Sequence, residues 1–253
     1  MSQPTLFSLQ GYLRIGELLP DGSIGKLRWL GNVPEATLAL GTESTDKNES
    51  FTGKRLQIGR LQTSTTAALN YTMDYWSAAN LALAFNSEET DIAASTVTGE
   101  TFPTALAIGD QVRLDHPFVS SLVISDSTTP TPLVVAGSNY NLVGHSDSVV
   151  EIAGLGSYVQ PLKAAYSYAA ATNLVLFSKI GRNVYLQFDA VNTVTGDPVL
   201  IDLWKVRHDP VSELGLINTE YGALAMTSAV LFDTARSLDA SLGGFGRMLQ
   251  KAA

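Results

Sequence analysis

The chain has 253 residues, 24 acidic against 16 basic side chains for a formal charge of −8, and no cysteine. That length allows one or two domains whose cores need no staples, and the missing thiols exclude a disulfide framework, thiolate metal centres and thiol catalysis. The 45% apolar and 16% charged fractions exclude a disordered chain, and the acidic balance argues against gripping nucleic acid by phosphate neutralisation.

The first residues, Met1 to Phe7, lack the basic start and apolar run of a secretory leader. No window approaches the ~18 consecutive apolar residues of a membrane helix. A soluble product of cytosolic synthesis is expected.

Strand signals then dominate. Residues 6–15 mix apolar and polar side chains, reach the turn former Pro20-Asp-Gly-Ser and resume at 24–30, which predicts a hairpin. A short strand is predicted at 36–40. Residues 41–53 have no periodicity and many turn formers, so a long loop is expected there, and loops of that length in compact domains are usually functional or disordered. Strand character returns at 54–60 and 65–75, where Leu69, Tyr71, Met73 and Tyr75 alternate with polar residues. Alanine and leucine at 77–85, with Ser77 as a cap, predict one short helix. Glu88 and Glu89 read as its solvated end.

Residues 90–156 read as a β-rich insertion of short hairpins separated by Ser, Thr, Pro and Gly turns. Regular strands are predicted again at 158–168, 173–179, 183–191, 199–207 and 223–231. The glycine-rich end, residues 234–253, is expected to be a flexible tail that orders only against a partner. The sum is mainly β: an antiparallel β-sandwich or barrel with one flanking short α-helix. Its main domain is discontinuous, built from 1–89 and 157–233 around the insertion.

Charge is unevenly placed. Residues 61–162 contain ten acids and one base, Arg113, and carry −9, whereas the remainder sums to +1. A solvated acidic face that aids solubility and a surface that repels another polyanion both fit this segment.

Signals for catalysis are missing. His116, His145 and His208 lie far apart without the short ligand spacing of zinc motifs. No Gly-x-Ser-x-Gly elbow occurs, and the glycines near 154–156 and 243–246 miss phosphate-loop and dinucleotide spacing. No enzyme, cofactor or metal is expected. The motifs Asn48-Glu-Ser and Asn70-Tyr-Thr match a glycosylation pattern too short to carry weight without a leader. Tyr71, Tyr75, Trp76, Tyr166, Tyr168, Tyr185, Phe188 and Trp204 fall at strand alternation and are expected in the core.

The order of several motifs carries a resemblance. Gly31-Asn-Val-Pro-Glu-Ala-Thr-Leu-Ala-Leu precedes Glu49-Ser-Phe-Thr-Gly-Lys, then the strand 67–75 and the helix with Ala79-Asn-Leu-Ala-Leu-Ala-Phe. Later come Asn183-Val-Tyr-Leu-Gln-Phe-Asp-Ala-Val-Asn, Pro198-Val-Leu-Ile-Asp-Leu-Trp-Lys-Val and a last strand ending Leu231-Phe-Asp. Inside the insertion, Ser138-Asn-Tyr-Asn-Leu and Ser148-Val-Val-Glu-Ile resemble a hairpin many members carry. Together these resemble the tail tube, or major tail, proteins of long-tailed bacteriophages, of the siphovirus type. The resemblance implies a virion protein, assembled in the host cytoplasm, whose hexameric rings stack into a tube that conducts double-stranded DNA. It implies contacts with tape-measure, tail-terminator and distal tail proteins, and only transient, non-specific passage of DNA. It also likens residues 41–53 to the loop that reaches the next ring, making Glu43, Asp46, Lys47, Glu49 and Lys54 candidate inter-ring contacts. A conduit should not hold its cargo, so lumen-facing residues are expected to sum to a negative or near-zero charge. Competing expectations are a monomeric β-sandwich that binds carbohydrate or protein, an enzyme with spatially assembled carboxylates, and the inner tube of a contractile tail or related injection machine.

Overall fold

The computed structural model describes residues 6–251; the leader test at Met1 to Thr5 and the last two residues of the expected tail lie outside them. In chain order the elements are β1 (Leu9–Leu18), β2 (Ile24–Trp29), β3 (Glu35–Asn48), β4 (Gln57–Met73), α1 (Ala78–Ala84), β5 (Glu88–Ile92), β6 (Ser95–Thr101), β7 (Gln111–Arg113) and β8 (Val119–Ser125). They continue as β9 (Tyr140–Val143), β10 (Val149–Ile152), β11 (Lys163–Tyr168), β12 (Ala171–Val175), β13 (Asn183–Asn192), β14 (Pro198–His208), β15 (Leu224–Val230) and β16 (Gly246–Gln250). The protein is mainly β and antiparallel, with one short α-helix among the described residues. Among the described residues, no helix is long and apolar enough to cross a membrane.

Two compact units form, one from the residues up to Glu89 with those from Leu174 onward, the other from Thr90–Asn173. The second boundary differs from the sequence reading, which closed the inserted segment at 156. Strand β11 pairs with β6 and β8, so the chain up to 173 belongs to the inserted unit.

In the first unit the strands run β2-β1-β13-β14-β15-β4-β3, with β16 also on β14. Period-two alternation sends Leu13 and Ile15 of β1, Leu186 of β13, Met226 and Val230 of β15, and Leu69, Tyr71 and Met73 of β4 into one core. Leu203 and Val206 of β14 join it across a register shift opposite Val184 and Leu186. Helix α1 adds Leu81 and Ala84 to that core. Ser77 caps it as expected, its hydroxyl accepting from the Asn80 amide at 3.1 Å. A helix this short does not persist alone; Asn80, 2% exposed, anchors it by donating to the Leu30 and Tyr75 carbonyls. Gly31 makes room for that junction: its φ is +94° and a Cβ there would lie 2.5 Å from the Tyr75 ring.

The expected tail is not free along its described length. Strand β16 pairs with Val199 to Leu203 of β14, beside the stretch of β14 that pairs with β15. Trp204 fixes the chain leading to it, donating from Nε1 to the Leu242 carbonyl, with the Arg236 and Arg247 guanidiniums each over its ring. Glu88 and Glu89 likewise belong to a strand, not a helix end, and Glu88 pairs with Lys179 at 2.7 Å.

The second unit has two three-stranded sheets, β7-β10-β9 and β6-β11-β8. They share a core that includes Phe102, Leu114, Ile124, Val150, Ile152 and Leu162. Asp126 is buried among loops and accepts from the amides of Thr128, Leu133 and Val159. Burial alone would raise its carboxyl, but the Thr128 hydroxyl and those amides hold it at about 2.

Candidate functional site: a projecting hairpin

Strands β3 and β4 pair continuously from Glu35↔Thr72 to Asn48↔Gln57. The residues expected to form a loop therefore form a two-stranded arm, and only residues 49–56 turn. The sequence hides this because Gly41-Thr-Glu-Ser-Thr-Asp-Lys-Asn has no apolar alternation; its pairing is imposed by β4. Ala67 is the last buried residue of β4 toward the tip, and every β3 residue except Ser44 is exposed. At ~3.4 Å per residue, the stretch beyond Leu40 extends about 27 Å. A two-stranded ribbon wet on both faces is marginal in isolation, which makes the arm a surface that gains by being covered.

The five candidate contact residues do not form one cluster. Glu43 accepts from Ser64 Oγ at 3.0 Å, and Asp46 lies 3.6 Å from Arg60 across the hairpin. Lys47 follows on the opposite face and Lys54 stands exposed in the turn. Glu49 departs from the expected role. It is 4% exposed and its carboxylate accepts from the Phe51 and Thr52 amides at 2.8 and 2.7 Å, and from the Thr52 hydroxyl. The Thr52 hydroxyl, then the amides, hold that carboxyl at about 2. Glu49 is an internal staple of the tip and presents no contact outward.

Residues that sequence reasoning did not single out do face outward. Phe51, Leu56, Ile58 and Leu61 are 56–79% exposed along the arm. Alternation could not reveal them, because the arm has no buried face to alternate against.

Residues 6–249 match the model of a family described as "Protein of unknown function UCP028589". The chain belongs to this family. Among curated proteins, nothing matches. The family match spans both units of the chain, so the inserted unit lies within the matched sequence.

Two further surfaces of the first unit stay open. Strands β2 and β3 end the sheet and have no outer partner among the described residues, an exposure that soluble proteins normally suppress. A groove of about 1040 Å³ is lined by Leu9 and Tyr12 of β1, Phe188 of β13, Ile201 of β14 and Leu38 of β3. Strands β1 and β3 are five steps apart in the sheet, about 24 Å if it were flat. Both lining one groove means that the sheet coils strongly. Tyr12 and Trp29 of its lining meet edge to face, and Trp29 meets Tyr75 in the same way, each ring about half exposed. Tyr75 and Trp76 are thus outside the core, against the sequence expectation, whereas Tyr71, Tyr166, Tyr185 and Trp204 are buried.

The histidines do not converge, and no group of three or more potential metal ligands occurs among the described residues. His208 lies in the core. It is 2% exposed, with Nε2 2.7 Å from the Tyr71 hydroxyl. Burial, assisted by the Arg28 charge, lowers its pKa to about 4. His116 stacks on Tyr168 at 3.9 Å.

Proposed function

We propose that this chain is the structural subunit of a bacteriophage tail tube, in which hexameric rings stack to conduct double-stranded DNA. The observation that carries this reading is the arm: a long hairpin projecting from a sheet whose two end strands have no outer partner among the described residues. Such a subunit is complementary to another copy at different surfaces. Heterologous contacts of that kind close into rings when the rotation permits and propagate into filaments along the axis. Ring closure also removes the exposed β2 and β3 edges. The resemblance of the ordered motifs supplies the tail tube as the specific assembly, the virion as its location, and tape-measure, terminator and distal tail proteins as its neighbours.

The test is electron microscopy of the purified protein over a range of concentrations. Rings or tubes are expected, and a protein that stays monomeric at every concentration overturns the reading. In a reconstructed tube the inner wall should carry a net charge at or below zero; a basic wall refutes passive conduction. The groove, with Tyr12 and Trp29 beside Asn32 and Asp189, favours one competing reading, a monomeric carbohydrate-binding module. A monomer that binds oligosaccharides in calorimetry would establish that instead.

A further inference from the structure

We propose that the tip of the β3–β4 arm docks, through Lys47, Lys54 and Arg55, onto the acidic inserted unit of a second copy of the chain. This rests on the self-assembly reading above and names the surface the arm meets.

The chain carries two charge sets of opposite sign that lack ion-pair partners among the described residues. Lys47, Lys54 and Arg55 are exposed at the tip, and none forms an ion pair among the described residues. The nearby Glu49 does not offset them outward, because its carboxylate is turned into the hairpin by the Phe51 and Thr52 amides. Apart from the buried Asp126, the unit of Thr90–Asn173 holds six carboxylates against Arg113 and Lys163. No ion pair forms within it among the described residues. An excess of one sign costs self-repulsion, and each set relieves the other's on contact.

Shape agrees with charge. A hollow of about 460 Å³ in the inserted unit is lined by Glu100, Asp110, Asp115 and Arg113, with Pro103 and Leu106 as apolar wall. Asp110 and Asp115 are exposed, and Glu151 lies on the adjoining strand pair, bonded to Gln111. The tip presents an apolar side chain, Phe51, beside its cations at 79% exposure. Opposite potentials at such a contact set register and association rate more than affinity, which suits the stacking of identical subunits.

The test uses three full-length proteins: wild type, an arm variant (Lys47→Glu, Lys54→Glu, Arg55→Glu) and a hollow variant (Asp110→Lys, Asp115→Lys, Glu151→Lys). Assembly is followed by sedimentation and electron microscopy, and folding by circular dichroism. Each variant alone should raise the concentration needed for assembly by about tenfold or more, since like charges then face one another. An equimolar mixture should assemble, because each arm then meets a hollow of opposite sign. Wild-type assembly should also weaken between 0.1 and 1 M salt, as the Debye length contracts from about 10 to about 3 Å. If the hollow variant misfolds, Asp115→Asn with Glu151→Gln takes its place and should weaken assembly in the same direction. An arm variant that assembles like wild type overturns the docking and leaves the tube reading standing. Two variants that fail alone and also fail when mixed overturn the pairing. A wild-type protein that never associates overturns both.

Discussion

The Arg28 guanidinium donates a 2.6 Å hydrogen bond to the side-chain oxygen of Asn80, tying edge strand β2 to helix α1. A second guanidinium nitrogen reaches the Ala79 carbonyl at 3.1 Å. Asn80 in turn donates to the Leu30 and Tyr75 carbonyls, so one buried amide joins three segments of chain. Removing it leaves buried donors and acceptors without partners, which costs more than the bonds themselves contribute. Asn80→Ala is expected to destabilise the protein by about 3 kcal/mol, read from its urea midpoint. Asn80→Asp keeps the Arg28 partner but loses both donations, and should also destabilise. An unchanged midpoint for Asn80→Ala would show that α1 is held by Leu81 and Ala84 alone.

His208 gives the fold a defined response to mild acid. Its folded pKa is about 4, below the ordinary 6.5, because burial disfavours the imidazolium and Arg28 adds repulsion. The unfolded chain therefore binds a proton between those values that the folded chain refuses. Stability is complete above about pH 6.5 and falls as the pH drops toward 4. Between pH 7.5 and 5 the loss due to this group should be about 2 kcal/mol. His208→Gln should flatten the dependence in that window, since Glu49 and Asp126, each held at about 2, respond only at lower pH. An equally steep dependence in the variant would assign the acid response elsewhere.

The parts of this fold legible in sequence are those where burial writes a period into the chain. Leu69, Tyr71 and Met73 alternate with polar residues because one face of β4 packs on the core. The same strand continues to Gln57 with both faces in water, and there nothing distinguishes strand from loop. The arm exists through its register with β3, a non-local fact. Strand β16 escaped notice for a related reason: Gly243, Gly244 and Gly246 read as a flexible tail, yet a Cβ at Gly246 would lie 2.3 Å from the Asp202 carbonyl oxygen. That glycine permits close strand approach. For the candidate site, charged residues at 43–54 were visible, but nothing in the string marks Glu49 as turned inward and Phe51 as turned outward.

Glu49 makes the arm's tip a preformed turn. Its carboxylate accepts from the Phe51, Thr52 and Leu56 amides and the Thr52 hydroxyl. Glu49→Gln retains the shape and removes the charge that strengthens each bond. Amide exchange at Phe51 and Thr52 is expected to accelerate by on the order of tenfold, while the urea midpoint changes little, because the tip lies well beyond Ala67, the last buried residue of β4. Exchange that remains slow would show that strand pairing alone orders the turn. With the carboxyl at about 2, the wild-type tip should stay protected down to about pH 4, its ordinary range, and loosen only below it.

The C-terminal strand is clamped by a charge that its own removal would strand. Asp202, 2% exposed, accepts from Arg247 Nε of β16 at 2.9 Å and from the Tyr185 hydroxyl. Arg247 also lies over the Trp204 ring, 5.3 Å from its centroid. Arg247→Met keeps much of that apolar contact but leaves Asp202 without its cation, so a loss of about 2 kcal/mol is expected. Adding Asp202→Asn should recover part of it, because the remaining group no longer carries a buried charge. The double-mutant cycle therefore predicts a coupling energy of at least about 1 kcal/mol. Coupling near zero, with β16 amides still protected in Arg247→Met, would mean that pairing with Val199 to Leu203 holds the strand without the ion pair.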